Sequence, residues 1–425
     1  MIWILLLAAL GLGVPIAIAI VLTLLVLMGT GEAPYALRIV ASEMFSGLNS
    51  FPLLAIPLFI LAGEVMNVSG ITGRIIAFCN VLVGRMRAGL ALVNIWASVI
   101  FAGLSGSAVA DTSAIGRVFI PEMERHGYRR DFAAALTAAS SVIGPIIPPS
   151  IPVIIYALIV SGVSVPALFL AGIVPGLLLA LFLSAYVMIF VKVAPDPSAA
   201  AAAPPARAAL MGGILPLLMP VFVVGTILLG VVTPTEAAAF AVAYALVLGV
   251  LVYRSIPLRD LAGLFASSMR DSAVILIIIA AVSVANWVLT FNRVPNLLTD
   301  WVLSNVDSQF AFLMATILLF LAVGLVLEGI AAMLVLVPIM HPIAVSLGVD
   351  PVHFGIIVIF NLMIGLITPP LGLCLFVAEG IAGVGMARMV RAIMPFFLVE
   401  VLVLVILTFV PSLVTALPIA LGFHR

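Results

Sequence analysis

Ser140-Ser141-Val142-Ile143-Gly144-Pro145-Ile146-Ile147-Pro148-Pro149-Ser150-Ile151-Pro152 is the stretch whose reading decides the fold. Four prolines between Pro145 and Pro152 remove backbone donors, so a helix arriving through Ser140 must break and restart. The flanks are apolar on both sides, which places the break inside a hydrophobic segment. In lipid such a break is tolerated only where it is buried in protein or lines a cavity. A second block of the same kind follows 221 residues later, where Ile143-Gly144 falls on Ile364-Gly365 and Pro148-Pro149 on Pro369-Pro370.

The offset of 221 extends in both directions without a gap. Gly103 falls on Gly324, Pro121 on Pro342, Gly127 on Gly348 and Gly162 on Gly383. An ordered set of matches around a shared I-G-x-x-x-P-P block marks an internal repeat. The Pro/Ala-rich stretch Pro195 to Ala209 is the one obvious linker. It divides the chain into a first repeat over 1–193, a linker with a connecting helix over 194–232, and a second repeat over 233–425.

The solvent follows from composition. Of 425 residues, 65% are hydrophobic and 8% charged, against roughly 25% charged in soluble domains; the mean hydropathy is +1.43. Apolar runs such as Val163 to Val191, Gly213 to Val232 and Phe396 to Val410 approach the ~20 residues that cross a bilayer as a helix. Their patterning is not the alternation of a barrel. The fold is therefore an all-α polytopic membrane protein. Zero net charge points to no nucleic-acid partner. Cys79 and Cys374 sit in apolar runs as small hydrophobes rather than as a disulfide. The N-terminus has no basic region or cleavage site and reads as a retained first helix, about Ile2 to Met28.

Basic residues set the orientation. Arg85 and Arg87 precede Leu90 to Glu122, and Arg125, Arg129 and Arg130 follow it, so both ends of that segment face one side. It is a re-entrant hairpin turning at Gly103-Leu104-Ser105-Gly106-Ser107. A broken helix over about 131–160 follows. The second hairpin, about 309–342, is followed by His341 to Pro351, which carries no Lys or Arg. Its orientation is therefore opposite, with a second broken helix over about 352–382. Inverted repeats of broken helices meeting near the midplane characterise secondary transporters.

Chemistry concentrates at the hairpin tips and breaks. Ser105 and Ser107 offer hard oxygen donors, and Asp111 lies a turn or so beyond them at membrane depth, where an ionisable group is costly. Close packing of small residues is the alternative role of this block. The second tip, Gly324 to Gly329, carries Glu328 in place of hydroxyls, so two ion sites there would use different ligands. Glu328 equally suits a helix N-terminus or an Arg partner. Thr233-Pro234-Thr235-Glu236 reads as a helix cap. The histidines, His126, His341, His353 and His424, show no metal-ligand spacing and fall mostly at predicted membrane edges. No Walker A sequence, no H-E-x-x-H and no regular arginine series is present, which argues against ATP hydrolysis, zinc proteolysis and voltage gating. No catalytic residue is assigned; the chain reads as a carrier, not an enzyme.

The blocks Gly103 to Gly116, Ile143 to Tyr156, Gly230 to Ala238 and Ile364 to Leu373 resemble the large membrane subunit of TRAP transporters, the DctM type, along essentially the whole chain. The resemblance implies a multi-pass protein of the bacterial inner membrane working with a small four-helix membrane subunit and a periplasmic binding protein. It implies Na+-driven uptake of an organic acid by an elevator-like movement. Carried over by position, one Na+ lies between Ser105, Ser107, Gly144 and Pro149. The other lies between Gly324, Gly329, Gly365 and Thr368. Substrate falls near Ser140, Asn361, Pro148 and Pro369, with Asp111 and Glu328 as ion-linked or structural acids. C4-dicarboxylates, sialic acid and other sugar or keto acids all remain open. A stand-alone ion-coupled exchanger of the divalent-anion type is the alternative.

Overall fold

The computed structural model describes residue 9 and residues 14–29, 37–191, 205–306, 308–325 and 327–424. Most of the expected first helix before residue 14, most of the linker and Val326 at the second tip lie outside them. The described residues form helices and connecting turns. The first half contains α1 (Ile16–Gly29), α2 (Leu37–Leu48), α3 (Ala55–Val68) and α4 (Ile71–Val83). Next come α5 (Gly89–Ser105), α6 (Ala108–Arg125), α7 (Arg130–Ser141), α8 (Ile151–Ile159) and α9 (Val165–Phe190). A connecting helix, α10 (Ala206–Leu228), leads to α11 (Pro234–Leu246) and α12 (Leu258–Phe291). The chain continues through α13 (Val294–Asn305), α14 (Gln309–Gly324), α15 (Gly329–Ser346), α16 (Pro351–Gly365), α17 (Leu373–Ala382), α18 (Met386–Phe409) and α19 (Ser412–Ala420).

The offset seen in the sequence reappears in the element bounds. Helices α6, α7 and α9 begin at Ala108, Arg130 and Val165, and α15, α16 and α18 begin at Gly329, Pro351 and Met386. Each pair is 221 residues apart. Among the described residues the copies differ where α2 and α3, joined by a short 3-10 turn at Phe51–Leu54, correspond to the single long helix α12. Helix α2 was not anticipated, because its polar residues interrupt the apolar pattern.

Seven helical segments among the described residues are long and apolar enough to cross a membrane, including α9, α10, α12, α15 and α18. The first hairpin arm α5, with 17 residues, and its counterpart α14, with 16, are shorter. At ~1.5 Å per residue neither reaches across about 30 Å of hydrocarbon. That is the geometry of a re-entrant hairpin: α5 with α6, and α14 with α15. The broken helices are α7 with α8 and α16 with α17.

Packing crosses the copies. The second arm of the first hairpin, α6, lies against α17 of the other copy, and α15 of the second hairpin lies against α8. Repeat partners α9 and α18 pack on each other, as do α3 and α12. Polar links tie the halves together: Tyr156 donates to the Pro351 carbonyl at 2.8 Å, and Arg130 to the Ile381 carbonyl at 3.4 Å. Both cysteines are free and buried. His353 is covered rather than at an open edge, and its Nε2 lies 2.9 Å from the Leu407 carbonyl.

Candidate functional site: two hairpin tips against two helix breaks

Each hairpin turns by ending one helix and capping the next. In the first, α5 ends at Gly106, whose φ of +59° suits glycine. Ser107 then caps α6 by accepting from the Ala110 N–H at 3.4 Å. Glu328 occupies the equivalent position of the second hairpin and accepts from the Ala331 N–H at 3.1 Å. A helix N-terminus is among the roles the sequence allows Glu328, and the structure places it at that cap. The expected cap at Thr233 is a full capping box, with Glu236 Oε2 accepting from the Thr233 N–H at 2.7 Å.

At the first tip Ser105 Oγ donates to Asp111 Oδ1 and lies 3.2 Å from the Ser107 N–H. Asp111 is fully buried, and its second oxygen, Oδ2, has no hydrogen-bond partner. That atom points at the first break: a methyl group on Gly144 would come within 2.5 Å of it and 3.1 Å from the Ser141 carbonyl. The Pro149 carbonyl lies against Gly106 so closely that a methyl there would meet it at 2.7 Å. Ser105, Ser107, Asp111, Gly144 and Pro149 are thus gathered in one place. The break is held by Ser150, which donates to the Pro145 carbonyl and caps α8 at the Val153 N–H.

At the second tip Gly324 rests on Gly365, and a methyl on either would touch the other's backbone at 3.3–3.4 Å. A cavity of about 10 Å³, room for one water-sized particle, opens beside them between Leu327, Glu328, Gly329, Leu362 and Gly372. Thr368 sits at the break with its hydroxyl donated to the Ile364 carbonyl at 2.7 Å. Its oxygen retains acceptor capacity. The Pro148–Pro149 and Pro369–Pro370 peptide bonds, at equivalent positions, are both cis.

Ser140 and Asn361 occupy equivalent positions on α7 and α16, and both are fully buried. Ser140 is hydrogen-bonded within the protein. Its hydroxyl faces the first hairpin arm, donating to Asn94 Oδ1 at 3.0 Å and accepting from Ser98 at 2.9 Å. Asn94 in turn donates to Thr137 at 2.7 Å. A buried hydroxyl takes the nearest partners, and these are on α5 rather than in an open site. Asn361 donates to the Ile317 carbonyl at 3.0 Å, while its own carbonyl oxygen is buried without a partner. Pro148 is buried and Pro369 half-buried.

Sequence reasoning overlooked Glu400, on α18. It is fully buried, with neither oxygen hydrogen-bonded. A lone acid inside the run Phe396 to Val410 was the available signal.

Two re-entrant hairpins facing two broken helices, in copies that exchange packing partners, define a secondary transporter of inverted-repeat design. The comparisons agree and go further. The family model described as "Tripartite ATP-independent periplasmic transporter, DctM component" matches residues 1–413, and the chain belongs to that family. It is 38% identical to the sialic acid TRAP transporter large permease protein SiaM of Vibrio cholerae, over 92% of this chain and 91% of that one. It is 37% identical to the C4-dicarboxylate large permease DctM of Pseudomonas aeruginosa, over 92% and 91%. Against the 2,3-diketo-L-gulonate large permease YiaN of Escherichia coli the identity is 36%, over 89% of each. Among solved structures, the Alcanivorax borkumensis YdaH transporter aligns with a TM-score of 0.62 at 17% identity, covering 88% of this chain and 89% of that one. That likeness speaks for the fold alone. The chain is a TRAP large permease subunit, a multi-pass protein of the bacterial inner membrane.

Proposed function

We propose that this permease takes up an organic acid, delivered by a periplasmic binding protein, using the inward gradient of Na+ and a separate small membrane subunit. The observation that carries the reading is Asp111 Oδ2, a buried carboxylate oxygen without a partner, aimed at the helix break beside Ser105. A carboxylate at membrane depth without a cation is costly. A sodium ion between the Ser105 and Ser107 tip and the Gly144–Pro149 break would relieve that cost through hydroxyl and carbonyl oxygens. A second Na+ would use backbone oxygens around Gly324, Gly329 and Gly365 with Thr368, beside the small cavity there. The ions would join each tip to its break, so that hairpins and broken helices move together as one elevator against α1–α3, α11 and α12.

The substrate class rests on the relatives, whose names specify sialic acid, C4-dicarboxylate and 2,3-diketo-L-gulonate. All are organic acids, and backbone N–H groups at the starts of broken helices suit a carboxylate. Asn361 and Pro369 are the candidate contacts from the second copy, and Pro148 from the first. Reconstituted vesicles holding the permease and its small subunit test the proposal. Uptake should require both the binding protein and a Na+ gradient. Full uptake by this chain alone would contradict it.

A further inference from the structure

Glu400 lies on α18, outside the tip and break segments of both copies. It is fully exposed to no solvent, and neither of its oxygens has a hydrogen-bond partner. Helices α7, α9, α16 and α17 pack around α18, and their titratable groups are engaged elsewhere. Asp131 pairs with Arg129 at 2.5 Å, and Arg130 with Glu124 at 2.8 Å. His353 meets the Leu407 carbonyl, Asp350 at the start of α16 pairs with His424, and Tyr186 sits edge-on to Phe396. Glu379 accepts from the Gly385 N–H at 3.1 Å. On α18 itself Arg388 and Arg391 are exposed and more than two turns away. Cys374, the other titratable group of α17, is a free, buried thiol.

Packing does not explain an acid here. The equivalent position of the first copy, on α9, holds Leu179, fully buried in the same kind of helix contact. An aliphatic side chain therefore satisfies this site where nothing but packing is asked of it. A buried carboxyl with no cation and no donor avoids the cost of its charge by holding a proton.

We propose that Glu400 is a proton-binding site of the unit that α18 forms with α7, α9, α16 and α17, filled in this conformation and exchanged with solvent when that packing loosens during the cycle. The step is carboxylate plus one H+ giving the neutral acid, which removes one negative charge from the unit. Its transport consequence rests on the uptake reading above; the occupancy of the site does not.

Infrared difference spectroscopy of the purified full-length chain tests occupancy directly. At neutral pH the wild type minus Glu400→Gln should show the carbonyl stretch of a neutral carboxylic acid, shifted in D2O. Glu400→Leu, which copies Leu179, should lose the same band and serves if the Gln variant does not fold. Absence of a Glu400-dependent band, or its removal by added Na+, overturns the proposal. In vesicles with the binding protein, an inside-alkaline gradient at fixed Na+ should raise initial uptake severalfold for the wild type and leave Glu400→Gln unmoved. An equal response in both overturns the coupling. No uptake by the wild type under any gradient overturns the function proposed above, and the infrared result still stands on its own.

Discussion

The two hairpin tips share a place in the repeat and differ in chemistry. Both end a short arm, turn within two residues in the first copy and four in the second, and cap the next arm at equivalent positions, Ser107 and Glu328. The first tip then adds Ser105 and a buried Asp111, whose second oxygen looks toward Gly144. The second has Ala332 where the first has Asp111, and its only acid is spent on the cap. At the first break the tip glycine Gly103 lies against Pro220 of the connecting helix, whereas Gly324 lies directly on Gly365. Duplication has kept the topology that makes two broken helices meet. The side chains at each meeting have diverged, so the two proposed ion sites should respond differently to the same kind of substitution.

The largest expected effect comes from closing the space between tip and break. Gly144→Ala places a methyl against Asp111 Oδ2 at 2.5 Å, and overpacking of this kind costs ~1–3 kcal/mol. Na+-dependent uptake should fall at least tenfold, and retention of wild-type uptake would break the geometry assigned to the first site. Gly365→Ala meets the Gly324 backbone at 3.3 Å instead, and its loss should be the smaller of the two.

Removing charge should separate the tips further. Asp111→Asn should raise the Na+ concentration for half-maximal uptake about tenfold, equivalent to ~1.4 kcal/mol. Glu328→Gln should shift it little, because its carboxylate serves the α15 cap. Titrations of initial rate against Na+ check both, and equal shifts would abolish the distinction between the copies.

The smallest effect belongs to the remote cap. Thr233→Ala should lower thermal stability in detergent by ~1 kcal/mol without changing the Na+ titration. Orientation has its own check. Cysteines flanking Arg129 and Val349 should react with an impermeant reagent from opposite membrane faces, and reaction from one face would dismantle the inversion.

Much of this was legible in the sequence, for reasons that can be named. The I-G-x-x-x-P-P blocks exposed both breaks because proline acts locally and irrespective of surroundings. Charge on the flanks of 90–122 located the first hairpin, found as Gly89–Ser105 and Ala108–Arg125. The capping roles of Ser107 and Thr233 follow from residue type and position. What stayed hidden depends on neighbours distant in sequence. Ser140 turns to Asn94 and Ser98 because α5 happens to pack there. Glu400 disappeared into an apolar run, and only the packed structure reveals that no counter-charge reaches it. Helix α2, too polar to read as a span, is recognised by its packing on α12.

The sodium site proposed at the first tip and its break draws on side-chain oxygens. Initial uptake against Na+ concentration, in vesicles with the binding protein, compares the wild type with Ser105→Ala/Ser107→Ala. A Na+ requirement weakened about tenfold in the double variant, or ~1.4 kcal/mol, is the predicted result. A titration superimposable on that of the wild type would contradict it.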